Sequence, residues 1–306
     1  MSFYGLFKGK GPSGFGYNST SAEVCEGLDL SGKTYVVTGC NSGLGEETMR
    51  VLLDRGAKVF ALARTEEKAA AAAAQFSGET VPVACELSEP DSVRAAVKTI
   101  TEEGSAIDGI IANAGIMALP KRTVHHGLEM QFLTNHIGHF ILVTGLVDRL
   151  SDDGRVVMLS SGAHSATYKE GIRFDDLDAA GGYTAIGAYG QSKLSNHLFA
   201  KHLATRLPKP NQRANSVHPG VIATNLGRHM PSAFMVLFKT VGSVMALKSV
   251  PQGAATQLYV ATHPEAHQYN GLYFADCNPK TPSDFAQDEQ LAAQLWEKTE
   301  SLVAAL

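Results

Sequence analysis

Short apolar runs rich in β-branched residues recur along the chain at Tyr35–Val37, Val59–Leu62, Val81–Ala84, Ile107–Ala112, Arg155–Leu159 and Ala214–Val217. They are continuous rather than alternating, the pattern of strands covered on both faces. Between them lie stretches of helical composition: Gly45–Arg55, Glu66–Phe76, Pro90–Glu103, Gly127–Leu150 and Ala185–Leu207. The alternation predicts an α/β fold, a doubly wound, mostly parallel sheet of about seven strands with helices on both faces and right-handed crossovers. The alanine run Ala69–Ala74 is helix-forming and is expected to pack on the solvent side. Gln287–Leu306 carries Leu291, Leu295, Trp296 and Leu302 at helical spacing and is expected to pack on the domain.

Two segments break the rhythm. Gly162–Gly187 is a long connection between a strand and the next helix. Asn225–Val250 holds PSAFMVLFKTVGSVMALKSV, which fits either a core helix or a lid over an apolar ligand. There is no internal repeat and no linker. The expected organisation is an N-terminal arm over residues 1–30, rich in Gly, Ser and aromatics, then a single domain over 31–306 with a substrate lid around 225–250.

Bulk properties narrow the function classes. A chain of 306 residues buries a substantial core. Its net charge of -4 is too mild to argue for nucleic acid or an anionic membrane surface. Eleven histidines are scattered without metal-ligand spacing, so no metal is expected. The four cysteines are far apart and form no CxxC; they read as reduced thiols in a cytoplasmic protein. No apolar run is long enough for a signal peptide, an anchor or a transmembrane helix, so a soluble protein is expected, with peripheral membrane contact through the lid left open.

Candidate chemistry begins after the first strand. Thr38-Gly39-Cys40-Asn41-Ser42-Gly43-Leu44-Gly45 links that strand to the first helix. Glycines there permit a tight turn and close backbone approach, and the helix N-terminus offers free N–H groups to a pyrophosphate. In this strand–turn–helix setting the motif predicts a dinucleotide and a Rossmann fold. An NAD site wants an acid about 20 residues on, to bind the ribose 2′-OH. Here the second strand ends Leu62-Ala63-Arg64-Thr65. A guanidinium pairs with a 2′-phosphate, which predicts NADP(H); an Arg64 that merely ended the strand in solvent would leave an NAD(H) alcohol dehydrogenase. Glu86 and Leu87 end the third strand, where a side chain would meet the adenine. Asn113, Ala114 and Gly115 end the fourth, where small residues let the backbone run beside the cofactor.

The other end of the ligand meets different residues. Asn135 lies in the fourth long helix, Ser160 and Ser161 end the fifth strand, and Tyr189 and Lys193 share one helix face four residues apart. Hydride transfer to a carbonyl needs a proton donor at the oxygen. A phenol is a poor base near neutrality, but a nearby ammonium favours its ionised form. Tyr189 is therefore the candidate general acid/base and Lys193 its electrostatic partner. A serine hydroxyl would orient the substrate oxygen, and strand alternation lets only one of Ser160 and Ser161 point the right way. The joint order carries the inference: glycine turn, NAG, Asn, Ser, YxxxK, then Pro219-Gly220 after the sixth strand.

In this order the motifs resemble those of the single-domain short-chain dehydrogenases/reductases, over about residues 30–280. The resemblance rests on TGCNSGLG, NAG, the Asn135 helix, Ser161, Tyr189-GQS-Lys193 and Pro219-Gly220-VIA-Thr224. It implies that the second serine, Ser161, is the functional one, that Asn135 holds a water beside the lysine, and that Lys193 also binds the nicotinamide ribose. It further implies that Val221 and Thr224 bind the nicotinamide amide and diphosphate, and that the fourth and fifth long helices are available for a homo-oligomer. FGYNSTSAEV, TNHIGHFILVTGLV, Phe174-Asp175-Asp176-Leu177 and SKLSNHLFAKHL are similar to the retinol dehydrogenase branch, near WW-domain oxidoreductases and protochlorophyllide reductases. Leu194-Ser195-Asn196 follows the lysine where the protochlorophyllide enzymes carry a cysteine. ANAG replaces the usual NNAG, and Glu86 stands where the family usually has Asp.

The expected function is an NADP(H)-dependent oxidoreductase interconverting a lipophilic aldehyde or ketone and its alcohol. The alternatives are an NADP(H)-binding sensor or regulator without turnover, and an NAD(H) alcohol dehydrogenase.

Overall fold

The computed structural model describes residues 4–222 and 247–306. Thr224 and most of the expected lid, Asn225–Ala246, lie outside the described residues.

Eight strands form one sheet: β1 (Thr34–Thr38), β2 (Lys58–Ala63), β3 (Thr80–Ala84), β4 (Ile107–Ala112), β5 (Leu150–Leu159), β6 (Arg213–His218), β7 (Tyr273–Ala275) and β8 (Asn278–Pro279). Their order is β8-β7-β6-β5-β4-β1-β2-β3. All neighbours are parallel except the short β7–β8 pair. The chain starts in the middle, winds outward through β2 and β3, then returns to the other side of β1 through β4. This reversal opens a crevice at the strands' carboxyl ends, where doubly wound folds bind ligands.

Among the described residues, seven helices of eight residues or more cover the sheet: α1 (Gly43–Asp54), α2 (Glu66–Ala73), α3 (Pro90–Glu103), α4 (Gly138–Leu146), α5 (Ala185–Leu203), α6 (Val250–Thr262) and α7 (Glu289–Ala305). Alternation along β1 explains the two cores. Val36 packs into one cluster with Ile100 of α3, Leu142 of α4, Leu194 of α5 and Leu295 of α7. Its neighbours Tyr35 and Val37 pack into the other, with Met49 and Leu52 of α1, Ala69 of α2 and Leu258 of α6. A side chain between two helical layers meets apolar atoms whichever way it points, so the strands need no polar face.

Several expectations change. Ala69, Ala72 and Ala73 are buried against the sheet rather than turned to solvent; their small side chains let α2 lie close. The predicted helix 127–150 is shorter and interrupted. A hairpin, Val124–His125 with Leu128–Glu129, precedes it; Met130–Phe132 is helical, Leu133–Ile137 is a π-helical turn, α4 follows, and Leu150 already belongs to β5. The Glu129 carboxylate accepts from Gln131 N (2.9 Å) and Phe132 N (3.0 Å) and so starts the helix there. Helix α6 and strands β7 and β8 had no named counterpart in the sequence reading.

The apolar face of α5 is covered by the chain itself. Trp296 of α7 stacks on Phe199 (5.5 Å between ring centroids) and meets Phe140 edge-on (5.0 Å). On the opposite side of the molecule, Phe15 packs against Tyr259 and His263, and Val24 and Cys25 enter the core. Ile222 and Lys248 pair as a parallel bridge, with Lys248 N donating to Val221 O (2.9 Å). The buried Lys248 ammonium is held by Asp276 (2.6 Å) and lies 4.9 Å from the Tyr17 ring centroid. Among the described residues no helix is long and apolar enough to cross a membrane.

Candidate active site

The carboxyl ends of β1, β2, β4 and β5 open on one cavity of about 390 Å³. Gly39, Asn41, Ser42, Gly43, Leu44, Arg64, Glu86, Leu87, Asn113, Ala114, Gly115, Tyr189, Lys193 and Pro219 all line it. Gly45, Asn135 and Ser161 stand behind that lining and touch it through the contacts below. Gly220 and Val221 continue from Pro219, and Val221 is exposed.

At one end the chain leaves β1 through Gly39, whose φ of +70° is readily open only to glycine. A methyl group at Gly45 would run into the Gly39 carbonyl oxygen, so the turn closes only on glycine. Ser42 begins α1 without capping it through its side chain, which leaves the first N–H groups of the helix unspent beside Gly43 and Leu44. That cradle fits a pyrophosphate. Arg64 is exposed and lines the same cavity. The Glu86 carboxylate accepts from Ser88 Oγ (3.0 Å) and Ser88 N (3.3 Å), which fixes the longer side chain at the cavity edge.

At the other end lie Tyr189 and Lys193 of α5, both buried. Lys193 Nζ donates to Leu159 O (2.9 Å), and Asn196 Nδ2 donates to the same carbonyl (3.0 Å). Nζ lies 5.8 Å from the Tyr189 ring centroid. Gly115 brings the β4 exit close to both Lys193 Nζ and Asn135 Oδ1. Burial pushes the Tyr189 phenol up to about 12, opposed by a hydrogen bond with the Ser161 side chain. Burial also pushes the Lys193 ammonium down to about 8. For both groups desolvation is the largest influence.

The two serines part as strand alternation requires. Ser160 lines the cavity, and its Oγ donates to Lys193 O (2.7 Å). Ser161 turns to Tyr189, and its own carbonyl accepts from His164 Nδ1 (2.6 Å), while His164 Nε2 accepts from Ser283 N (3.0 Å).

Asn135 is fully buried in the π-helical turn. Its Oδ1 accepts from Ile116 N (2.8 Å), and its Nδ2 donates to Ile116 O and Ser192 Oγ (both 2.9 Å). Ser192 Oγ in turn donates to Tyr189 O (2.8 Å). The Asn135 carbonyl is met by His139 Nδ1 (2.9 Å), which must carry the proton because a carbonyl only accepts. His139 Nε2 then accepts from Thr38 Oγ1 (2.9 Å), which itself accepts from Ala114 N (2.9 Å). Burial pushes His139 down to about 4, so this neutral state holds at ordinary pH. A continuous run of bonds thus joins β1 to the Tyr189 helix through the π-turn.

Comparison with known proteins accords with this geometry. A family model described as short chain dehydrogenase matches residues 33–174. The chain is 41% identical over its full length to the full-length short-chain dehydrogenase TIC 32 A, chloroplastic, of Brassica napus. The chain belongs to the short-chain dehydrogenase/reductase family. Human retinol dehydrogenase 14 is 37% identical over 90% of this chain and 88% of its own length, which sets the chain in the retinol dehydrogenase-like branch. A solved structure of an uncharacterised protein from Mycobacterium paratuberculosis, 33% identical, superposes with a TM-score of 0.73 over 92% of this chain and 97% of that one. Within this short-chain dehydrogenase, sequence reasoning missed Thr38, His139, His164 and Ser192 as supports of the site. Thr38, Ser192 and His139 sit inside the quoted motifs; what the sequence did not show is the second partner of each histidine, Thr38 for His139 and Ser283 for His164, each more than a hundred residues away.

Proposed function

We propose that the protein is an NADP(H)-dependent oxidoreductase interconverting a lipophilic aldehyde or ketone and its alcohol. The observation that carries this reading is the convergence, on one cavity, of the glycine turn with Arg64 at one end and the buried Tyr189–Lys193 pair beside Ser161 at the other. When bound, the nicotinamide cofactor supplies or accepts the hydride at the substrate carbon.

The chain's own residues do the rest. In reduction the Tyr189 hydroxyl donates its proton to the carbonyl oxygen; in oxidation the tyrosine accepts it from the alcohol. At neutral pH the phenol is protonated, the form that the donor role requires. Ser161 orients the substrate oxygen beside that phenol. Lys193 offers positive charge near the phenol and hydrogen bonds toward the nicotinamide ribose. Asn135 holds the β4 exit in register with α5. Arg64 supplies the guanidinium for a 2′-phosphate, and no carboxylate stands at that position to repel it. Pro219 lines the cavity, and Gly220 and Val221 follow it where the nicotinamide end would lie.

Support for a lipophilic substrate comes from Ile116 and Met130 in the cavity wall, the exposed side chains of Ile186 and Val221, and the apolar composition of residues 225–250. The name of the human relative points the same way. The four free, buried cysteines support a reducing compartment, the cytoplasm in the first instance.

The test follows NADPH absorbance with a panel of aldehydes and ketones, wild type beside Tyr189→Phe. Turnover by wild type, with kcat reduced about 100- to 10,000-fold in the variant and NADPH binding retained, is expected. Tight NADPH binding without turnover across the lipophilic panel would replace this reading with a sensor or regulator.

A further inference from the structure

Outside the cavity, three side chains from two separate elements converge. Glu89 is the residue that begins α3, yet its carboxylate makes no capping bond to that helix. It turns outward instead, with Oε1 2.7 Å from His125 Nε2 and Oε2 3.1 Å from His126 Nε2. These ligand-type atoms all lie within 4.8 Å of one another.

The backbone explains how two consecutive histidines reach one carboxylate. Successive residues of a strand point to opposite faces. His126 escapes that rule because it occupies the left-handed region, with φ of +49°, followed by Gly127 at +73°. The turn between Val124–His125 and Leu128–Glu129 therefore swings the second imidazole to the side of the first, and the rings lie 4.1 Å apart. A non-glycine residue in that region is uncommon. Here its strain is spent on gathering two nitrogen donors about one acid.

We propose that Glu89, His125 and His126 form a binding site for a borderline divalent transition metal, of which Zn²⁺ is the type. Two imidazole nitrogens and one carboxylate oxygen suit Zn²⁺, Ni²⁺ or Cu²⁺, whereas Mg²⁺ and Ca²⁺ want oxygen donors throughout. Zinc bonds of about 2.0–2.2 Å set neighbouring donors roughly 3.3–3.5 Å apart, within the spread these atoms already have. The site is open to solvent, so water completes the coordination. It binds the hairpin to the start of α3 and stands apart from the Tyr189 chemistry. None of its three residues lines the cavity, although Ser88, next to Glu89, does.

Titration calorimetry of the full chain with Zn²⁺, in non-chelating buffer without nucleotide, tests this directly. Wild type is expected to take up one equivalent. Glu89→Gln should weaken that binding about ten-fold or more, and the double variant His125→Asn, His126→Asn should abolish it. Thermal unfolding of the metal-free variants at the wild-type temperature would establish that they fold. Absence of uptake by wild type, or uptake indifferent to either variant, overturns the site.

Discussion

A buried ammonium costs the fold whatever it contributes to chemistry, and at Lys193 the cost is measurable. Its pKa falls from the usual 10.5 to about 8 through burial. Between those values the unfolded chain keeps a proton that the folded chain has released, so stability rises with pH across about 8 to 10.5. Below that window the charge is buried and the fold bears the full penalty. Lys193→Met removes it, and Leu159 O keeps Asn196 Nδ2 as a donor. We expect this variant, measured without nucleotide at pH 7, to be about 3 kcal/mol more stable than wild type and catalytically poor. The gap should close above pH 10; a variant less stable at pH 7 would contradict the argument. Arg64 acts at the opposite end. Replacing it with Glu should raise KM for NADPH about 10- to 100-fold, from the loss of a charge-assisted contact, while leaving KM for NADH within a few-fold. Equal losses with both nucleotides would mean that Arg64 does not read the 2′-phosphate.

At the scale of elements, the π-turn Leu133–Ile137 is what sets Asn135 against Ile116 and Ser192. His139 secures it from one turn away. His139→Leu leaves the Asn135 carbonyl without its side-chain donor and takes the acceptor from Thr38 Oγ1. The expected effects are a loss of about 1–3 kcal/mol in chemical denaturation and a fall in kcat larger than the change in KM. A variant with native stability and kcat would show that the turn holds itself. How far the sequence foretold this level depended on the range of the interactions. Strands β1 to β6 were legible because continuous apolar runs have one stable place, between two layers. The glycine turn and the Tyr189 helix were legible because their spacing is local. The π-turn was not, since one bond that braces it, from His139 to Thr38, reaches a strand about a hundred residues earlier. Strand β7 has three residues, too few for a period. The Glu89–His125–His126 group was hidden by a sequence separation of 36 residues and a turn whose backbone sign no composition reveals. The burial of Tyr189 and Lys193 was not legible, because burial, unlike spacing, is not written locally.

For the molecule as a whole, histidine burial decides how it meets acid. Burial pushes His136 and His197 down to about 3, and His139 and His218 to about 4, from the usual 6.5. As pH falls below 6.5 the unfolded chain takes up protons that the folded chain declines, so stability is full above 6.5 and drains away toward 4. At about 1.4 kcal/mol per pH unit for each imidazole, the four together withdraw on the order of 6 kcal/mol by pH 5, comparable with a whole domain's stability. The melting temperature should therefore drop steeply between pH 6.5 and 5; a flat profile there would refute it. The bridge between Ile222 and Lys248 has a consequence of another kind. Fastened by Asp276 at its base, it fixes both ends of residues 223–247 to the framework. Doubling the length of a stretch so bracketed costs only about 0.6 kcal/mol in closure entropy. Insertions between Ile222 and Lys248 should therefore leave the melting temperature of the framework nearly unchanged.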